Sequence, residues 1–133
     1  MIIGIGNDME SISRIESVLN RRPNFLSTIL TPAEQEAAKK RTGKHYLEFV
    51  AGRFSAKEAY SKALGTGIGK KASWQDITIL NAPSGRPIIS VRGQNNALSV
   101  AITHSGDYVA TVVTIESLSF LEKIKKKHWE KTR

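Results

Sequence analysis

The chain has no cysteine among its 133 residues. Disulfides and thiolate metal sites are therefore excluded, and a bound metal would have to be a hard cation on oxygen ligands. No apolar run approaches the roughly 20 residues that cross a bilayer. The N-terminus also lacks the basic segment, apolar stretch and cleavage site of a secretory leader, so the expected location is the cytoplasm. Aromatic residues are sparse at 7%, and acids are outnumbered, 12 against 20 lysines and arginines. The resulting net charge of +8 favours anionic partners such as nucleotides, nucleic acids, acidic proteins or anionic surfaces, without choosing among them. No repeat or low-complexity stretch is present. The content that remains, 40% hydrophobic and 24% charged residues, is that of one globular domain, long enough to bury roughly two-thirds of its unfolded surface.

The order of elements reads as α+β. Met1–Ile5 is β-branched and predicts a buried strand, with Gly4 and Gly6 permitting close backbone approach and Asp8 where the strand stops. Ser13 with Glu16 suggests a capping box for a helix ending near Arg21, before Pro23. Thr31, Pro32 and Glu34 form a sharper start signal for a second helix that ends near Arg41–Gly43. The main helix spans about His45 to Leu64, with Leu47, Ala51 and Phe54 as an apolar stripe that Glu58, Lys62 and Gly65 continue. Strands are then expected over Ile77–Leu80, Ile88–Val91, Ala97–Ile102 and Tyr108–Ile115, the first two turned by Pro83-Ser84-Gly85. From Ser117 an amphipathic basic helix should carry Leu118, Leu121, Ile124 and His128 on one face. The division expected is a domain over 1–116 and a basic helical extension over 117–133.

Chemistry concentrates at a few positions. Asp8 and Glu58 offer two hard carboxylates, a typical protein contribution to Mg²⁺, which fills its other positions with water and substrate phosphates. Lys62, one helical turn from Glu58, can reach a phosphate as a point charge, and Arg53 is a further candidate. On spacing alone, Glu58 and Lys62 are equally a surface i, i+4 pair, and a single acid at a strand end is equally a cap. The glycine-rich segment Gly65-Thr66-Gly67 follows a helix instead of opening one, so it matches no phosphate-loop fingerprint and Gly65 serves as a C-cap. His104, Ser105 and Asp107 crowd into one turn and cannot adopt triad geometry. His104 and Ser105 read as donors to an anion at a strand end, or as turn residues.

Taken jointly, Gly4–Asp8, Arg14–Ile15, Ile29–Thr31, the block from Phe49 to Gly67, Gly85–Pro87 and Ile102–Ser105 resemble the holo-acyl-carrier-protein synthase family, the short bacterial 4′-phosphopantetheinyl transferases. The resemblance covers the chain to about Glu116. It implies transfer of 4′-phosphopantetheine from coenzyme A to a serine of apo acyl carrier protein for fatty acid biosynthesis, releasing adenosine 3′,5′-bisphosphate. Asp8 and Glu58 would hold Mg²⁺ with the pyrophosphate, and Lys62 would contact phosphates or leaving group. Arg53, Gly65, Thr66, Gly67, His104 and Ser105 would bind the nucleotide half with its 3′-phosphate. Arg14 would meet an acidic residue beside the acceptor serine. The base is open between water relayed through Asp8 and Glu58 itself. The family fold is an antiparallel sheet packed with a long helix, assembling as a homotrimer with sites between subunits, so that Asp8 of one chain would meet Glu58 of the next. Asn7 stands where the family carries an apolar residue, which predicts a more polar approach to Asp8, and the tail past Ser117 exceeds the usual family length. The rival from another class is a non-enzymatic basic nucleic-acid-binding module. It would need exposed aromatics interleaved with the basic residues, and this chain has few.

Overall fold

The first strand does not stop at Asp8. In the computed structural model, which describes residues 1–132, β1 covers Ile2–Ser11. It is long because it pairs antiparallel with β5, Tyr108–Glu116, from Ile2↔Glu116 to Ser11↔Tyr108, with a register shift between Ile2 and Gly4. β5 also pairs with β4, Ala97–Ser105, giving a three-stranded sheet ordered β1-β5-β4. His104 and Ser105 thus lie inside a strand, and the hairpin turn is left to Gly106 and Asp107. The expected hairpin of β2, Ile77–Asn81, and β3, Pro87–Val91, forms a separate two-stranded sheet.

Strand alternation sorts β1 into two faces. Gly4, Gly6, Asp8 and Glu10 turn toward the helical layer, while Ile3 (57% exposed), Ile5 (63%), Asn7 and Met9 (65%) lie on the outer face. Asn7 therefore does not make the approach to Asp8 more polar. It sits opposite Val112 on the far side of the sheet, and that expectation is corrected.

The long helix, α4, covers Gly43–Leu64 and is buried nearly all round from Phe49 to Ser61. A single apolar stripe through Leu47 and Phe54 understates it, since both are only partly buried and the helix is packed on several sides. Its sheet-facing row can be followed residue by residue. Glu48 reaches His104, Gly52 leaves room for Ile102, Ser55 hydrogen-bonds Thr111, and Ala59 and Ala63 meet β1. A Cβ on Gly6 would overlap the Ala59 carbonyl oxygen, and one on Gly4 that of Ala63, so the expected close approach is realised here.

α1, Ile12–Arg21, ends as expected but starts earlier. Ser11 is its cap, accepting from Arg14 N–H at 3.2 Å. Ser13 sits inside the helix, its N–H and hydroxyl both donating to Asp107 of the β4–β5 turn at 2.9 and 2.7 Å. α2, Phe25–Ile29, has no sequence signal, being five residues without a side-chain cap. α3, Pro32–Lys39, carries the expected Thr31–Glu34 capping box. α5, Phe120–Thr132, is tied back by Lys126 Nζ donating to the Asn96 carbonyl at 2.6 Å and by Arg86 over the Trp129 ring. Its outer side leaves Leu121 and Ile124 exposed, and Arg133 lies outside the described residues.

Candidate active site

The two close contacts of β1 with α4 decide what faces what. Because Gly6 lies on Ala59 and Ala63, Asp8, two residues further along the same strand face, falls beside the next exposed turn of α4. Lys62 Nζ lies 3.0 Å from Asp8 Oδ1. The Asp8 side chain is only 9% exposed, and its other oxygen, Oδ2, is buried without a hydrogen-bond partner. An unpaired buried carboxylate oxygen is costly and calls for a positive partner.

Glu58 belongs to the same group. Burial, and then the nearby Asp8 charge, hold its carboxyl above the ordinary range, with Lys62 opposing. Asp8 and Glu58 are thus neighbours within one chain, which corrects the expectation that they come from different subunits. Glu10, one strand repeat beyond Asp8, was not foreseen. Burial, the adjoining Asp8 and, more weakly, Glu58 push its carboxyl up to about 7 against the pull of Arg14. The signal was present in the alternation Gly4, Gly6, Asp8, Glu10, but ending the strand at Asp8 hid it.

Glu10, Arg14 and Glu58 line one cleft of ≈ 440 Å³ with Phe25, Phe54, Arg21 and Arg22. Arg14 is held there because Asp107 anchors the start of α1 through Ser11 and Ser13. The structure therefore gathers Asp8, Glu58, Lys62 and Arg14.

It does not bring the other expected residues to that point. Arg53 lies on another side of α4, 5% exposed, donating to Ile79 O at 3.0 Å and Asn81 Oδ1 at 2.8 Å, with its guanidinium over Phe49. Gly65 ends α4 in the left-handed conformation at φ 79, as expected. The amides of Gly65, Thr66 and Gly67 all turn back to the Ser61 carbonyl, so in this conformation they close the helix. His104 is half exposed at the far end of β4, its Nδ1 2.6 Å from Glu48 Oε2, and Ser105 follows it, exposed. Glu48 and Glu58 are ten residues apart on α4, roughly 15 Å along its axis. His104 and Asp8 thus do not meet within the chain.

One further charged pair sits in the interior. Lys57 Nζ donates to Glu34 Oε1 at 2.6 Å, Ile29 O at 2.7 Å and Trp74 O at 3.0 Å. Glu34 Oε2 accepts from Ile79 N–H at 2.8 Å. Both side chains are fully buried, joining α3, α4 and β2 behind the Glu58 turn.

Comparison with known proteins gives a consistent picture. The model of the 4′-phosphopantetheinyl transferase superfamily matches residues 4–113. A holo-[acyl-carrier-protein] synthase of Leuconostoc citreum is 59% identical over 131 residues, 98% of this chain and 97% of that protein. One from a Geobacillus strain is 46% identical over 119 residues, 90% of this chain and 100% of that protein. Among solved structures, a holo-(acyl-carrier-protein) synthase from Bacillus anthracis in complex with CoA (3′,5′-ADP) superposes with a TM-score of 0.82 at 44% identity. It covers 89% of this chain and 99% of its own. The Helicobacter pylori enzyme in complex with coenzyme A gives 0.74 at 36% identity, covering 84% and 99%.

Proposed function

The chain belongs to the 4′-phosphopantetheinyl transferase superfamily, and on that premise we propose that it is a holo-[acyl-carrier-protein] synthase. It transfers the 4′-phosphopantetheine group of coenzyme A to a serine of apo acyl carrier protein, in fatty acid biosynthesis. The observation that carries the assignment to these residues is the buried Asp8, with one oxygen on Lys62 and the other unpaired, near Glu58, which lines a cleft together with Arg14.

In the transfer, the serine oxygen bonds to the phosphorus next to the pantetheine arm. The bond from that phosphorus to the bridging oxygen breaks, and adenosine 3′,5′-bisphosphate leaves with the electron pair. The serine proton passes to a base. Glu58 itself, or a water relayed through Asp8, can take it. Lys62, 54% exposed, is free to exchange its hold on Asp8 for a phosphate oxygen and offset charge on the leaving group.

The donor set fits Mg²⁺. Asp8 Oδ2 and Glu58 are hard oxygens, and among the described residues no three acidic or histidine side chains surround one point. The chain thus offers two carboxylates and leaves the remaining positions to water and phosphate oxygens. When bound there, the ion would neutralise the pyrophosphate and polarise the phosphorus.

Arg14, with Arg21, Arg22 and the rings of Phe25 and Phe54 in the same cleft, suits an acidic carrier that also presents apolar side chains. His104 and Ser105 are assigned to the 3′-phosphate end of coenzyme A. Arg53 and the Gly65–Gly67 loop shape the nucleotide side, Arg53 through its hold on Ile79 and Asn81.

The assembly proposed is a homotrimer. Ile3, Ile5, Met9, Tyr108 and Val112 are 37 to 65% exposed on the uncovered sheet face, a contiguous apolar patch of the kind that marks an association surface. Packing that face against a neighbour would let His104 of one subunit complete the Asp8 half-site of another. Residues 1–116 are the catalytic domain and 117–133 an added basic helix. No described helix is long and apolar enough to cross a membrane, and we place the enzyme in the cytoplasm.

The test is direct. Chain, apo acyl carrier protein, coenzyme A and Mg²⁺ are mixed and the nucleotides followed by chromatography. Adenosine 3′,5′-bisphosphate should appear one for one with modified carrier and cease on chelation. Carrier left unmodified under these conditions would refute the assignment.

A further inference from the structure

Glu48 is given no role in the proposed transfer, yet its side chain is nine-tenths buried and in ion-pair contact with a half-exposed histidine. Its Oε2 lies 2.6 Å from His104 Nδ1, with side-chain exposures of 10% for Glu48 and 56% for His104. The contact joins the first half of α4 to the end of β4. The contact turns Nδ1 inward against the carboxylate and leaves Nε2 outward.

His104 faces Val109 of β5 across the hairpin, and Glu10 of β1 stands on the same sheet row beyond Val109. Asp107 in the adjoining turn is taken up by the Ser11 and Ser13 hydroxyls at 2.6 and 2.7 Å. Glu48 is the carboxylate in contact with the ring.

The direction of the ring matters for binding an anion. A neutral imidazole that donates through Nδ1 carries a lone pair on Nε2, which repels a phosphate oxygen. An imidazolium donates from both nitrogens. A carboxylate against Nδ1 stops the ring from flipping.

We propose that Glu48 is a positioning residue for coenzyme A, holding His104 so that Nε2–H is presented to a phosphomonoester at the nucleotide end. This rests on the assignment of His104 to the 3′-phosphate given above. It adds the residue through which His104 works, and it makes Glu48 a determinant of preference for coenzyme A over its 3′-dephospho form. The two differ only in the phosphomonoester.

Glu48→Gln keeps the shape and removes the charge. Two readouts decide the matter. The first is the ¹⁵N spectrum of the His104 ring in the intact enzyme, assigned with His104→Asn. In the parent, the Nδ1 resonance should report the carboxylate beside it, and it should move in Glu48→Gln. The second is KM for coenzyme A and for 3′-dephospho-coenzyme A with apo carrier. Losing a charge-assisted hydrogen bond should raise KM for coenzyme A roughly tenfold, with kcat within about twofold and the dephospho substrate unaffected. His104→Asn should match this, and the double variant should be no worse than either single.

The failures are distinguishable. If His104→Asn leaves KM for coenzyme A unchanged, the assignment of His104 to the phosphate is wrong, and the proposal goes with it. If His104→Asn raises that KM but Glu48→Gln does not, or if Glu48→Gln harms both substrates equally, the role of Glu48 alone is overturned. An unaltered His104 spectrum in Glu48→Gln would also contradict it.

Discussion

Lys57 and Glu58 are adjacent in sequence and opposite in fate, because consecutive helical positions point about 100° apart. Glu58 faces the cleft, and Lys57 is sealed against Glu34 with both side chains fully buried. Burial lowers the Lys57 pKa, with Glu34 opposing, so the pair is stable only as a pair. Lys57→Met would strand the Glu34 carboxylate and should cost about 3–5 kcal/mol in a urea unfolding curve. Wild-type stability in that variant would show the pair contributes nothing.

Glu10 gives a pH prediction at the same scale. A carboxyl whose pKa is higher folded than unfolded favours the fold while protonated. That contribution is whole below its ordinary 4.5 and is lost as pH rises through about 7. In metal-free buffer, melting temperature should therefore fall across this window in the parent and fall less in Glu10→Gln. Identical slopes would mean Glu10 does not feel Asp8 and Glu58 as described.

Among the elements, β1 and α4 position the proposed catalytic groups, and glycine backbone at Gly4 and Gly6 meets the helix where they touch. Gly6→Ala should cost about 1–3 kcal/mol, since a Cβ would collide with the Ala59 carbonyl, and should lower transfer activity further by shifting Asp8. Gly52→Ala is the contrast. Its Cβ would lie 3.3 Å from the Ile102 methyl, a contact that a small shift relieves, so melting and activity should change far less. Equal loss in both would contradict the packing account.

These elements also show what was legible beforehand. The Thr31–Glu34 capping box, the α4 C-cap at Gly65 and the β2–β3 hairpin were readable because each depends on a few adjacent residues. Asp8, Glu58 and Lys62 were readable as chemistry but not as a geometry. The length of β1 depends on β5, a hundred residues away, and misplacing its end hid Glu10 and put Asn7 on the wrong face. The commitment of Glu48 to His104 and of Arg53 to Ile79 and Asn81 rests on contacts no local pattern announces.

For the whole molecule, the proposed homotrimer can be tested by mixing chains. If neighbouring subunits complete each site, mixed trimers of Asp8→Ala and His104→Asn chains should recover activity at low coenzyme A, beyond either variant alone. Mixtures of Asp8→Ala with Glu58→Ala should stay inactive, because both residues serve the same half-site. Ile5→Lys should move the species seen in sedimentation from trimer to monomer and reduce transfer. Recovery in the Asp8→Ala and Glu58→Ala mixture would overturn the single-chain placement of those carboxylates.

The central claim is that Asp8 and Glu58 are the paired carboxylates of a phosphopantetheine transfer centre. It is tested most directly by intact-mass spectrometry of apo acyl carrier protein incubated with coenzyme A, Mg²⁺ and each of three chains. The parent should convert the carrier fully to the phosphopantetheinylated mass. Folded Asp8→Ala and Glu58→Ala should fall at least about a hundredfold in rate. Full conversion at the parent rate by either variant would contradict the account.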